Sequence, residues 1–244
     1  EAVWGLEWLL KNRFGGGYRV PWYTVRIYTN GIPGDDDDVV TPARNVPWLN
    51  FHAAAIEALA YEVLRERDPE LARKSLAAAR EDWEEAAKLR VKWEMADGRV
   101  TASWGVIASL NLFRATAGEK YAQSAVEYGR IITRCQQRQF PNGVPLTGFF
   151  YTNTKKNSLA QSNHLAYEEP PLVALAALCA ARGIEARDVV AFGDMPNDIT
   201  MLAWAGTSYA MAGAHESVLA VAGHVAPAVA DDGVARVLES LLGQ

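Results

Sequence analysis

Apolar positions repeat at helical spacing through most of the first 180 residues, and then the period changes. Val3, Trp4, Leu6, Trp8, Leu9 and Leu10 fall largely on one side of a helix over residues 1–13, which Gly15-Gly16-Gly17 ends. Residues 18–28 are aromatic and β-branched with Pro21 inside, which predicts extended or edge-strand structure. A polar loop follows, carrying the acidic run Asp35-Asp36-Asp37-Asp38. Helices are then predicted over 49–67, 69–95 (either continuous or broken within), 100–117 and 119–139, divided by Asp68-Pro69, Asp97-Gly98, Gly118 and Pro141-Asn142-Gly143. Helix, short polar turn, helix is the rhythm of antiparallel hairpins.

A further helix is predicted over 169–181. Asp188-Val189-Val190-Ala191-Phe192 is then a short apolar run bounded by charge and Gly193, which suits a buried parallel strand. Helices near 197–205, 215–222 and 231–242 alternate with short strands near 207–211 and 224–226. The expected fold is therefore mostly α: helical hairpins over 1–178, followed over 179–244 by a small α/β unit with a parallel, Rossmann-like sheet.

Composition narrows the class. Half the residues are hydrophobic and 22% are charged, an ordinary globular balance. A net charge of −5 without a basic cluster argues against a nucleic-acid or anionic-membrane surface. No apolar stretch approaches the roughly 20 residues of a membrane span. Cys135 and Cys179 form no disulfide or metal framework and are expected as buried thiols. Glu1-Ala2-Val3-Trp4 opens into an amphipathic pattern rather than a secretory signal, so a cytoplasmic setting is expected.

Candidate chemistry is concentrated at Gly193-Asp194-Met195-Pro196-Asn197-Asp198, where an apolar strand gives way to a helix. Two carboxylates four residues apart at such a turn can converge on Mg2+, which takes oxygen ligands and retains waters. Gly193 would permit the turn and Asn197 would cap the helix. The place is the carboxyl end of a strand, where α/β sheets bind ligands. This tail resembles the sugar-phosphatase-like branch of the haloacid dehalogenase superfamily. The likeness runs from about Leu175 through Arg182-Gly183-Ile184, the Gly-Asp-x-x-Asn-Asp stretch and Tyr209-Ala210-Met211 to Asp231-Asp232-Gly233-Val234. It implies Asp194 as the main acidic Mg2+ ligand, with Asp198 supporting it. The family's nucleophile loop, Asp-x-Asp-Gly-Thr, does not occur in this sequence, and Lys155 and Lys156 match its phosphate-steadying lysine by rough distance only.

Residues 1 to about 178 resemble glycoside hydrolase family 9, whose members are (α/α) toroids. The likeness is carried by Ala2-Val3-Trp4-Gly5-Leu6-Glu7-Trp8-Leu9-Leu10-Lys11, Thr41-Pro42-Ala43-Arg44-Asn45, Gly148-Phe149-Phe150-Tyr151-Thr152-Asn153 and Glu168-Glu169-Pro170-Pro171. Glycosidic cleavage needs two carboxylates flanking the bond. The family's Asp-Ala-Gly-Asp motif would precede the first helix, where this sequence starts, and Glu168 and Glu169 are the carboxylates left as catalytic candidates, beside His164. They equally suit the start of a helix. Trp22, Tyr23, Phe149 and Tyr151 are the candidate sugar-stacking surface, whereas Trp4, Trp8 and Trp83, at helical spacing, are expected in the core.

Together these resemblances imply a chimaera: a carbohydrate-directed, glycosidase-like front joined to a truncated phosphatase-like tail, with both catalytic sets incomplete. Its ligand would be a carbohydrate or sugar phosphate. The alternatives are a Mg2+-dependent phosphohydrolase and a non-catalytic scaffold.

Overall fold

The structure, a computed structural model, describes residues 2–20, 42–137, 150–158 and 171–243. They divide into two compact units. One is helical and comprises the described residues within Glu1–Gln136 and Phe150–Leu178; the other is α/β and takes Gln137 and the described residues from Cys179 onward. Among the described residues no helix is long and apolar enough to cross a membrane.

In the helical unit, α1 (Ala2–Lys11) buries Leu6 but not its tryptophans. Trp4 is 72% and Trp8 52% exposed, against 6% for Trp83. The expectation that all three are core residues holds for Trp83 and fails for the other two, because helical spacing fixes a face and not what covers it. Gly15, Gly16 and Gly17 all take positive φ. Gly17 is also needed for space, since a Cβ there would lie 2.8 Å from the Asn45 and Asn50 side-chain amides. Two short strands, β1 (Tyr18–Arg19) and β2 (Arg44–Asn45), then pair antiparallel.

Next come α2 (Pro47–Leu64) and α3 (Pro69–Lys88), the latter started by Asp68, whose carboxylate accepts from Leu71 N at 3.0 Å. The predicted helix over 69–95 actually breaks at Leu89, and α4 (Arg90–Thr116) runs on through Asp97-Gly98. Asp97 leaves helical geometry (φ −126°, ψ 42°) and kinks α4 without ending it. Gly98 there faces Ile131, Cys135 and the Asn153 backbone, so it is a packing residue rather than a turn residue. After a left-handed Ala117, α5 (Glu119–Cys135) ends four residues earlier than expected, where Gln136 turns extended to bridge Phe150.

Phe51 on α2 is the centre of this core. Its ring meets Trp83, Trp93 and Tyr128 at centroid distances of 6.4, 6.1 and 5.3 Å, in edge-on or tilted contacts. Both indole N–H groups are satisfied inside, Trp83 by Ser109 Oγ at 2.8 Å and Trp93 by the Ala86 carbonyl at 3.0 Å. The first part of α6 (Pro171–Ala181) adds Ala174, Leu175, Ala177 and Leu178 to the same core.

The α/β unit is a three-stranded parallel sheet in the order β3 (Val190–Gly193), β4 (Thr207–Met211), β5 (His224–Ala226). It starts two residues later than the apolar run predicts, because Ala186–Asp188 forms a 3-10 turn in which Asp188 accepts from Glu185 N at 3.1 Å. The crossovers carry α7 (Ile199–Trp204) and α8 (Glu216–Leu219), whose Leu202 and Val218 pack with Ala191 and Ala210. The chain closes with α9 (Gly233–Leu242). A Cβ on Gly233 would lie 1.9 Å from the Pro227 carbonyl oxygen, so the start of α9 requires glycine.

The structure shows a mostly helical chain with a small parallel sheet near its C-terminus, the coarse form of the expected fold. Both cysteines are free thiols; Cys135 is buried, as expected, and Cys179 is only half-buried.

Candidate functional site

At the carboxyl end of β3 the chain makes a tight loop and enters a 3-10 turn, Pro196–Asp198, before α7. Asp198 holds this loop from within. Its Oδ2 accepts from Asp194 N at 3.0 Å and Met195 N at 3.1 Å, while its own N–H donates to the Met195 carbonyl at 2.8 Å. Charge-assisted bonds from two consecutive amides are the strong kind, and they orient the backbone on either side of Asp194.

Gly193 makes room for that arrangement. It lies outside the left-handed region, but a Cβ on it would stand 2.5 Å from Asp198 Cβ and 2.9 Å from Oδ2. The glycine is therefore required by the close approach of Asp198 rather than by a turn conformation. The helix boundary puts Asp198, not Asn197, at the N-cap position of α7, and the Asn197 side chain lies outside the described residues.

Asp194 is exposed. Its carbonyl accepts from His215 N at 2.9 Å, which ties the loop to the start of α8. His215 in turn is fixed by its own helix: Nδ1 accepts from Ser217 N at 3.2 Å and meets Ser217 Oγ at 2.8 Å. This histidine is the loop neighbour that residue-type reasoning passed over. The signal for it is a cap-forming residue two before Ser217 at a helix start.

Two aspartates thus stand on the loop at the carboxyl end of a parallel strand, one exposed and one accepting from two backbone amides. Among the described residues no group of three His, Cys, Asp or Glu side chains is placed to hold a metal. The fit to Mg2+ is that of an ion taking one or two carboxylates and keeping several waters.

Tyr151 belongs to the helical unit. It is half-buried, its N–H donates to the Cys135 carbonyl at 2.8 Å, and Lys156 Nζ lies 5.9 Å from its ring centroid. Lys156 Nζ also donates to the Gln136 carbonyl at 2.8 Å, so this lysine is engaged within its own unit. Trp22, Tyr23, Phe149, His164, Glu168, Glu169 and the run Asp35 to Asp38 lie outside the described residues.

Residues 172–238 match the family of haloacid dehalogenase-like hydrolases. Over 59 residues the chain is 48% identical to an uncharacterized protein in the pdhA 5′ region of Geobacillus stearothermophilus, a stretch that is 24% of this chain and 62% of that protein. It is also similar, at 32% identity and a TM-score of 0.28, to a haloacid dehalogenase-like hydrolase from Bacteroides thetaiotaomicron, covering 29% of this chain and 27% of that one. A hypothetical protein from Geobacillus kaustophilus HTA426 gives 39% identity and a TM-score of 0.28, covering 30% and 28%. The chain thus spans less than two thirds of the curated relative and under a third of either solved protein. The family match alone thus supports a haloacid dehalogenase-like hydrolase domain over residues 172–238, a stretch that begins inside α6.

Proposed function

We propose that the α/β unit is the metal-holding part of a Mg2+-dependent phosphohydrolase of the haloacid dehalogenase type. The observation that carries this reading is the exposed Asp194 at the carboxyl end of β3, on a loop that Asp198 fastens through two backbone amides. Asp194 would be the direct ligand, and Asp198 would position it. Gly193 would keep the space that lets Asp198 do so. The bound ion would supply charge neutralisation at phosphate oxygens. Covalent phosphoryl transfer also needs a nucleophile, and the sequence offers no Asp-x-Asp-Gly-Thr loop for it. Metal binding with little or no turnover is therefore the expected behaviour of this chain alone.

Titration calorimetry with Mg2+ tests the first half, and aryl phosphate hydrolysis with and without Mg2+ tests the second. Saturable Mg2+ binding that Asp194→Asn abolishes supports the reading. Equal binding in both proteins would overturn it. Mg2+-dependent phosphate release lost in Asp194→Asn would keep the metal site and overturn the missing-nucleophile argument.

A second reading attaches to the helical unit: a glycosidase-like, carbohydrate-directed function. Its support is the helical hairpin rhythm of α2 to α5 and the family 9-like stretches around Trp4 and Tyr151. Cleavage of aryl β-glycosides, lost on changing Glu168 or Glu169 to Gln, is the result that would establish it; silence across the panel would remove it.

A further inference from the structure

The helical unit buries a set of charges that neither reading uses. Asp82 on α3 is 2% exposed and is gripped by two arginines from the segment that follows α1. Arg13 donates Nε to Asp82 Oδ2 at 3.1 Å and Nη2 to Oδ1 at 3.3 Å, and Arg19 Nη2 donates to Oδ2. Arg19 Nε also donates to Asn50 Oδ1 at 3.0 Å, and Asn50 Nδ2 donates to the Gly17 carbonyl at 2.9 Å. At the outer rim Arg13 Nη2 meets Glu81 Oε2 at 2.6 Å, and Gly16 N donates to Glu81 Oε1 at 3.2 Å. Residues 13–19 are held to α2 and α3 by these bonds.

Glu57 on α2 completes the cluster and does not fit its charge. It is 0% exposed, and neither carboxyl oxygen meets a hydrogen-bond donor among the described residues, which leaves the neighbouring Asp82 carboxylate as the group to which a protonated Glu57 would donate. Arg19 Nη2 stands 4.0 Å from Oε1, beyond hydrogen-bond reach. Arg13 and Arg19 already balance Asp82 and Glu81, so an ionised Glu57 would be a buried surplus charge. The other groups nearby do not supply a cation. His52, on the same helix, stacks on Trp104 of α4 at 3.9 Å, and burial first, then the Arg19 charge, lowers its pKa. From α4, Asn111 is occupied with the Ala55 carbonyl at 2.9 Å.

We infer that Glu57 is a buried carboxylic acid that keeps its proton in the folded helical unit, so that the cluster is a pH-sensitive element whose packing weakens as that proton is lost. Desolvation first, and the Asp82 charge second, push the Glu57 carboxyl well above the usual carboxylate range. Burial also moves Asp82 upward, but two guanidiniums donate to it, and it is the member that keeps the charge. The sign follows from linkage. A group whose pKa is raised on folding contributes its full stability below its unfolded value, and loses it as pH rises through the folded one. Within that window each pH unit costs about tenfold in the folding equilibrium constant.

The test is a pair of measurements on the full chain. Denaturation midpoints are followed from mildly acidic to alkaline pH for the wild type and for Glu57→Gln, which mimics the neutral acid. The expected result is a decline with pH in the wild type and a markedly flatter curve in the variant. The infrared spectrum at neutral pH should show a protonated-carboxyl stretch that disappears as pH is raised and is missing from Glu57→Gln. A variant with the wild-type pH dependence overturns the assignment of the proton to Glu57. So does a wild-type spectrum without that band, a measurement that decides the matter even if Glu57→Gln fails to fold.

Discussion

The helical unit keeps its charges inside, and the α/β unit keeps its candidate carboxylate at the rim. Asp82 and Glu57 are sealed among Arg13, Arg19 and Asn50, whereas Asp194 stands in solvent on a loop that Asp198 fastens. Both places hold carboxylates beside backbone amides or guanidiniums, yet the physics differs. A sealed carboxyl must be matched by a cation, as Asp82 is, or keep its proton, as inferred for Glu57, since the interior solvates nothing. A rim carboxylate needs only to be oriented, because water completes its shell until an ion does. The first pattern fixes a chain segment and the second leaves a ligand position open.

Four substitutions sharpen or break that contrast. Phe51→Ala removes the ring on which Trp83, Trp93 and Tyr128 converge, and should cost about 3–5 kcal/mol in denaturant unfolding followed by tryptophan fluorescence. Asp82→Ala leaves Arg13 and Arg19 without their shared acceptor and should cost about 3–5 kcal/mol by the same measurement. A near-neutral Asp82→Ala would mean the interior charges are not matched as described. Gly193→Ala forces a Cβ into Asp198 and should cost about 1–3 kcal/mol, with Mg2+ affinity in calorimetry falling alongside. Asp194→Ala removes an exposed side chain whose backbone bonds remain, so the melting midpoint should stay at the wild-type value while Mg2+ binding disappears. A large drop in its midpoint would make Asp194 a structural residue and erase the contrast.

Much of the fold was legible in residue patterns. The strands at 207–211 and 224–226 emerge with the predicted bounds, because short β-rich runs between turn residues leave little freedom. The helices fared well in existence and less well at their ends. Asp97-Gly98 reads as a stop, yet burial of Trp93 on one side and Ala102 on the other carries α4 through it as a kink. The break at Leu89 has no Gly or Pro to announce it. At the candidate site, Asp194 and Asp198 were visible as a spaced pair, but their division of labour was not. Only the placement of Asp198 Oδ2 on the two amides sets it apart from the exposed Asp194, the proposed ligand. The Arg13–Arg19–Glu57–Asp82 cluster escaped altogether, since its members lie up to 69 positions apart and carry no spacing signal.

Gly129 lies in the middle of α5, where a glycine costs about 1 kcal/mol relative to alanine. A methyl group at that position would come within 2.6 Å of Leu178 on α6. The helical unit therefore gives up some of its own helix stability to seat a side chain from a helix that begins the hydrolase-like match. Such a concession is mutual accommodation at the level of one atom: the backbone of α5 is thinned where a leucine of α6 must seat.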